Sequence, residues 1–379
     1  MELKIGILLP RSEMFPTLAM DFLNGCKLAF KNSIPKDVNP KFIIEGIGNG
    51  TDESLLKTAE KFILQEDVDI TLAFCGSLFL ANLVEIFNNY KKTLIHIDIG
   101  GSVLTEKHQS PYVLHHTLNL WQSSHAAGLY AAQNLGKKVS MITSIYDGGY
   151  HLAASFVKAF TDEGGEIASY FGGPMDYKAE NFSGMVEGIQ EVQPDFIFGI
   201  FSYNEGKKIF GVLANSNLNG EIPILVIPIM TDETINTENL NIENVQSIAS
   251  WSFDDKNPEM QEFIKQYEEG HEVTPNIISL LGFEVGLTIG SIISAEGKIA
   301  SKLSEVIQNK KIETPRGTLI YNAMNESQIT TFKLRDFKFN DTKYHNRIIN
   351  TLDAVFSEKL YEMYQELPEP AWQNPYLCT

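Results

Sequence analysis

Cysteine, positive charge and long apolar runs are all scarce in this 379-residue chain. Its three cysteines, Cys26, Cys75 and Cys378, are far apart and odd in number, which excludes a disulfide framework and a zinc-type ligand pattern. Cys26 falls within an apolar helical pattern and Cys75 at a strand end, so both read as packing residues; Cys378 is incidental to the terminus. Against 48 Asp plus Glu stand only 30 Lys plus Arg, a formal charge of −18. That balance leaves little to neutralise phosphates, which argues against nucleic acid and anionic membrane surfaces as partners. No stretch approaches the roughly 20 apolar residues of a membrane-spanning helix. The longest apolar runs, Phe196 to Phe201 and Ile222 to Ile229, have the length of buried strands.

Catalytic signatures are missing too. There is no G-x-S-x-G elbow, H-E-x-x-H helix or phosphate-binding P-loop. Gly46-Ile47-Gly48-Asn49-Gly50 is spaced G-x-G-x-G and follows the second strand, so it reads as a turn, not a dinucleotide fingerprint. The eight histidines are scattered. His115 and His116, on a strand, point to opposite faces and cannot share a metal. His96 and Asp98 share a strand face without further ligands, so a satisfied core histidine is expected. The expectation is a non-enzyme with no cofactor and no metal.

What is present is strong alternation. A hydrophobic fraction of 43% with 21% charged residues describes a soluble globular protein, and the length suggests two domains. Strand-like Ile5–Leu9, Lys41–Gly46, Val68–Phe74 and Thr93–Ile97 alternate with helical patterns over Thr17–Lys31, Asp52–Leu64 and Leu78–Asn88. The pattern breaks near His115–Trp121 and restarts. Helices are then expected over Leu120–Leu135, Gly149–Glu163, Asn181–Val192 and Glu205–Ser216, with strands at Val139–Ser144, Glu166–Phe171, Phe196–Phe201 and Pro223–Ile227. The fold class is therefore α/β, with two doubly wound, Rossmann-like parallel-sheet lobes. After Trp251 come helices over Pro258–Glu268, Ile277–Ser294 and Ile299–Gln308, strands at Gly317–Tyr321 and Gln328–Leu334, and a helix from about Asn350 to Glu366.

In such sheets ligands sit beyond the carboxyl ends of strands, where helix N-termini offer free amides. Ser77, after Cys75-Gly76, opens the expected helix Leu78–Asn88 and reads either as a ligand contact or as an N-cap. Gly100-Gly101-Ser102 allows close backbone approach by a ligand, or is simply a turn. Tyr150, after Tyr146-Asp147-Gly148-Gly149, follows a strand of the second half and leads into a helix, reading either as a residue that closes over a ligand or as packing, and Phe201 ends another strand. Trp121 and Trp251 lie at candidate crossings between the lobes, as core or as cleft lining.

These residues, in this order, resemble type I periplasmic solute-binding proteins of the leucine/isoleucine/valine-binding family. Lys4–Pro10 with Asn24-Gly25-Cys26-Lys27-Leu28-Ala29 is similar to the family's opening strand and N-G-x-x-L-A helix. Asn257-Pro258 through Phe263 and Tyr267, then Pro275 and Gly282-Phe283-Glu284, fit its later helices. The resemblance implies a three-crossover hinge, with 1–118 plus 253–322 in one lobe and 119–252 plus 323–379 in the other. It implies ligand contacts at Ser77, Gly101, Ser102, Tyr150 and Phe201, with Ser12, Trp121 and Met230 as further candidates. Pro228-Ile229-Met230 stands where amino-acid binders place an acidic partner for the ammonium, which favours an apolar, neutral or anionic ligand. Thr314-Pro315-Arg316-Gly317 and Gln373 to Leu377 resemble amide- and urea-binding members of the same superfamily.

The implied function is a solute receptor for an ABC importer, monomeric or weakly dimeric, partnered by a membrane permease. The alternative is a cytoplasmic amide or amino-acid sensor acting on a protein partner. Met1-Glu2-Leu3-Lys4 leads straight into the first strand with no export signal, so the location is periplasmic or cell-surface if a signal was removed, and cytoplasmic if Met1 is native.

Overall fold

Continuous apolar strands demand cover on both faces, and crossover helices supply it. The computed structural model describes residues 1–144, 150–173, 182, 184–201, 203–354 and 358–367. The first lobe is built on β1 (Glu2–Leu9), α1 (Leu18–Ser33), β2 (Asn39–Gly46), α2 (Asp52–Lys61), β3 (Ile70–Phe74), α3 (Leu80–Tyr90), β4 (Leu94–Asp98) and β5 (Val113–Thr117). Its strands lie in the order β2-β1-β3-β4-β5, all parallel. Every residue of β3, β4 and β5 is buried.

The chain then crosses into a second lobe: α4 (Leu120–Asn134), β6 (Lys138–Thr143), α5 (Tyr150–Asp162), β7 (Glu166–Gly172), α6 (Met185–Val192), β8 (Phe196–Ile200), α7 (Tyr203–Ala214), β9 (Ile224–Val226) and β10 (Val245–Ala249). It returns as α8 (Pro258–His271), α9 (Ile277–Ile292), α10 (Leu303–Ile307), β11 (Ile312–Thr314), β12 (Gly317–Tyr321) and β13 (Ser327–Gln328). A third passage, after β13, leads to β14 (Thr331–Phe339), β15 (Tyr344–Asp353) and α11 (Glu358–Glu362). The second sheet runs β15-β14-β10-β9-β8-β6-β7, parallel from β7 to β10 and antiparallel at β14 and β15.

The returning helices reach the first lobe through glycine. On α1, a Cβ at Gly25 would lie 2.1 Å from the Ser279 carbonyl oxygen; on α9, a Cβ at Gly282 would lie 2.1 Å from that of Phe22. Only hydrogen side chains let these two helices approach so closely. Both return helices have strong starts. Asn257 Oδ1 accepts from the Met260 amide at 2.7 Å with Pro258 in the first turn, and Asn276 Oδ1 accepts from the Ile278 and Ser279 amides at 3.0 Å.

Four expectations need correction. The helix from Asn350 to Glu366 is instead the end of β15 followed by the short α11, because β14 offers a free edge that β15 pairs along its whole length. The helix over Ile299–Gln308 shrinks to Leu303–Ile307, with Ile299 held in an antiparallel bridge to Ile293. The stretch that broke the alternation contains a strand, β5. β10 had no counterpart in the sequence reading. Among the described residues no helix is long and apolar enough to cross a membrane. Cys26 and Cys75 are buried free thiols, and burial pushes both thiol pKa values up. Cys378 lies outside the described residues.

Candidate functional site

The loops after β3 and β4 and the start of α5, after β6, meet at the carboxyl ends of their strands. There a cavity of about 330 Å³ is lined by Ser77, Val103, Thr105 and His108 from the first lobe, by His151 from α5, and by Tyr364 and Gln365 of the tail. The Val103 amide donates to His151 Nδ1 at 2.8 Å, so the two lobes are already joined at the cavity wall. The tail spans the same junction. Tyr361 donates to Glu326 Oε2 at 2.6 Å and accepts from Asn322 Nδ2 at 2.7 Å, and Gln365 Nε2 donates to the Leu104 carbonyl at 3.4 Å. Tyr364 Oη lies 2.8 Å from His125 Nδ1 on α4.

Ser77 does not cap a helix. The helix begins three residues later, with Phe79 at its cap position, and the buried Ser77 hydroxyl has no hydrogen-bond partner among the described residues. A buried hydroxyl left unpaired costs about 1–3 kcal/mol.

The glycine turn beside it is shaped by the hinge. Gly100 has φ +84°, and a Cβ there would come 2.8 Å from the Asn119 amide nitrogen at the first crossing. Its own amide donates to Asp98 Oδ2 at 3.1 Å, and its carbonyl accepts from the Trp121 amide at 2.8 Å. Burial raises the Asp98 pKa to about 6, while the amides of Gly100, Ile99 and Gly101 pull it the other way. The Gly101 amide thus acts on a carboxylate of the protein itself.

Of the other candidates, Ser102 is buried in this turn, and Ser12 is buried with its Oγ accepting from the Phe15 amide at 3.0 Å. Trp121 is wholly buried, with its ring edge-on to Tyr361 and Tyr364. Phe201 is also wholly buried, and Met230 lies in the second-lobe core near Gly199 and Gly206. Ser77 lines the cavity; Ser12, Gly101, Ser102, Trp121, Phe201 and Met230 are not among its lining residues. The Tyr150 side chain and residues 145–149 lie outside the described residues.

Sequence reasoning missed Thr105, His108, His151 and the tail, whose only signal was their place after strand ends. His96 and His115 are core histidines. Their Nδ1 atoms lie 3.1 Å apart, and their Nε2 atoms reach the Cys75 and His108 carbonyls at 2.9 and 3.0 Å. Burial lowers the His96 pKa to about 4. His116 faces the other way, to Glu284 and Tyr321, as adjacent strand residues must. Among the described residues no group of three or more His, Cys, Asp or Glu is placed to hold a metal.

A second buried cluster sits at the hinge. Arg316 donates through Nε and Nη2 to Glu284 of α9 at 2.6–2.9 Å. It also donates to the Thr117 carbonyl of the first crossing at 3.1 Å and to Ser250 Oγ of the second at 2.9 Å.

A family model described as "Periplasmic binding protein" matches residues 2–334. Among curated proteins, the Leu/Ile/Val-binding protein homolog 6 of Brucella abortus (strain 2308) is 21% identical over 362 residues, 92% of this chain and 91% of that protein. A solute-binding protein of an ABC transporter from Rhodopseudomonas palustris BisB5, in complex with 3,4-dihydroxybenzoic acid, superposes with TM-score 0.79 at 20% identity, covering 94% of this chain and 99% of that chain. LivJ, a branched-chain amino acid transporter substrate-binding protein from Streptococcus pneumoniae, in complex with isoleucine, superposes with TM-score 0.71 at 15% identity, covering 93% and 99%. With the match to the family model spanning most of the sequence and both lobes in place, the chain belongs to the type I periplasmic binding protein family.

Proposed function

We propose that this protein is the extracytoplasmic receptor of an ABC importer, capturing a small solute between its lobes and presenting it to a membrane permease. The observation that carries this reading is the cavity at the lobe junction, about 330 Å³ in volume, with the Ser77 hydroxyl buried in its wall and without a partner among the described residues. That volume suits a molecule the size of an amino acid, an amide or a small aromatic acid. Relatives of the same fold were solved with an aromatic acid and with isoleucine. In this reading Ser77 faces the solute from one lobe and Tyr150 from the other, and the Gly101-Ser102 turn lies behind the cavity lining. Phe201, Met230, Trp121 and Ser12 support the walls. The lobes divide as 1–118 with 253–322, and 119–252 with 323–379, except that β13 stays paired with β12 of the first lobe.

Closure is a population shift that works only if the solute binds the closed form better. The Val103 N–H to His151 bond is a contact between the lobes that opening them would break. Thermal-shift screening of amino acids, amides, ureas and small aromatic acids, followed by small-angle scattering, tests the reading. The expected result is a ligand that raises the melting temperature and compacts the protein; a tight ligand without compaction refutes lobe closure.

A further inference from the structure

We propose that His108 is a ligand contact, its Nε2–H acting beside the Ser77 hydroxyl as a second donor, and that the pair selects solutes carrying a carboxylate and no ammonium. This rests on the receptor reading above and names the chemistry of the solute. His108 ends a short 3-10 turn (Glu106–His108) and is 3% exposed. The Thr105 amide donates to His108 Nδ1 at 3.0 Å. An amide nitrogen can only donate, so Nδ1 is the accepting nitrogen and a neutral ring carries its proton on Nε2. Burial, reinforced by the charge of Lys107, lowers the ring pKa to about 3 and keeps it neutral near pH 7. Nε2 is on the ring edge opposite the Thr105 contact. It is buried, has no partner among the described residues, and belongs to a side chain that lines the cavity.

Two unpartnered donors in one cavity wall ask for an acceptor, and a carboxylate has lone pairs enough for both. The backbone segments that carry the two donors are also tied together. The His96–His115 ring pair bridges the Cys75 carbonyl, two residues before Ser77, to the His108 carbonyl. A solute that finds both groups already placed avoids the cost of ordering them. An ammonium finds the opposite. The one carboxylate among the described lining residues, Glu106, is exposed and adjacent to Lys107, so a buried cation finds no buried counter-charge among them.

Isothermal titration of the full chain with benzoate, 4-hydroxybenzoate, benzamide and isoleucine tests this. Benzoates should bind more tightly than benzamide or isoleucine. His108→Phe, which keeps a ring and removes the donor, and Ser77→Ala should each weaken benzoate binding about tenfold. His108→Gln, which restores a donor, should recover most of that loss. Melting temperatures of the variants establish that they fold. Unchanged benzoate affinity in folded His108→Phe, or tighter binding of isoleucine than of benzoates, overturns the proposal. If an amide or urea compacts the protein while neither benzoate nor isoleucine binds, the receptor reading survives and the carboxylate assignment fails. If none of the screened solutes binds or compacts it, both fail.

Discussion

Arg316 and Glu284 form an ion pair with no solvent exposure at the meeting point of α9, the β11–β12 turn and two of the three crossings. Such a pair is poor evidence of net stability, because taking both charges out of water costs about as much as their attraction returns. Its removal one side at a time is another matter. Arg316→Met strands the Glu284 carboxylate and frees the Thr117 and Ser250 oxygens from their donor. The expected loss is about 3–5 kcal/mol. Glu284→Met leaves the guanidinium buried without counter-charge and takes the partner from His116 Nε2, 3.1 Å away, for a loss of similar size. In the double variant no charge is stranded, so its loss should be no larger than that of either single change. Urea denaturation followed by circular dichroism gives the three values and hence the coupling. Additive losses, or a loss under about 1 kcal/mol for Arg316→Met, would refute the view that this pair is coupled and dry.

Three other outcomes follow from the same structure. Ser77→Ala should raise the melting temperature or leave it unchanged, since it removes a buried hydroxyl with no partner among the described residues, while ligand affinity falls by about 1 kcal/mol or more in calorimetry. A lowered melting temperature with unchanged affinity would count against the site. Gly282→Ala should destabilise by about 1–3 kcal/mol in urea melts, because the new methyl meets the Phe22 carbonyl of α1; an unchanged midpoint would show that the helices can slide apart at no cost. Stability should also depend on pH in two stages. Five buried histidines, His96, His108, His115, His116 and His125, have lowered pKa values. Their contribution is full above the unfolded value of about 6.5 and is lost as pH falls toward the folded values. Four buried carboxyls, Asp98, Asp232, Glu233 and Glu326, have raised values, the first at about 6 and the two glutamates at about 7. Their contribution is full below about 4 and is lost as pH rises through the folded values. Between about pH 4.3 and 6 the two sets oppose one another, so stability should change only gently with pH there. Below about pH 4 the carboxyls no longer compensate. The charge of Arg316, with hydrogen bonds from His116 and Arg316, outweighs burial and draws Glu284 down to about 2, so its contribution is also lost there. Urea midpoints should therefore fall gently and then steeply; a maximum below pH 5 would contradict the assigned burial.

Much of the architecture is legible in the sequence because it is local. The apolar runs around Ile5–Leu9 and Phe196–Phe201 can only be buried strands, and the Asn257-Pro258 and Asn276 starts are written in the residues that cap them. The glycines of the resembling motifs also have a physical reason, since Gly25 and Gly282 let α1 and α9 touch. What depends on distant partners is not legible. Residues 344–353 have no decisive period of their own and become a strand because β14 waits beside them. His108 looks like any loop histidine until the Thr105 amide fixes its tautomer and the fold brings its free edge to Ser77's cavity. The scarcity of cysteine and positive charge, the α/β alternation and the apolar strands were set by composition and short-range order. The cavity, the tail that spans it and the arginine that ties the crossings come from contacts between residues 32 to 261 positions apart, and only folding decides those.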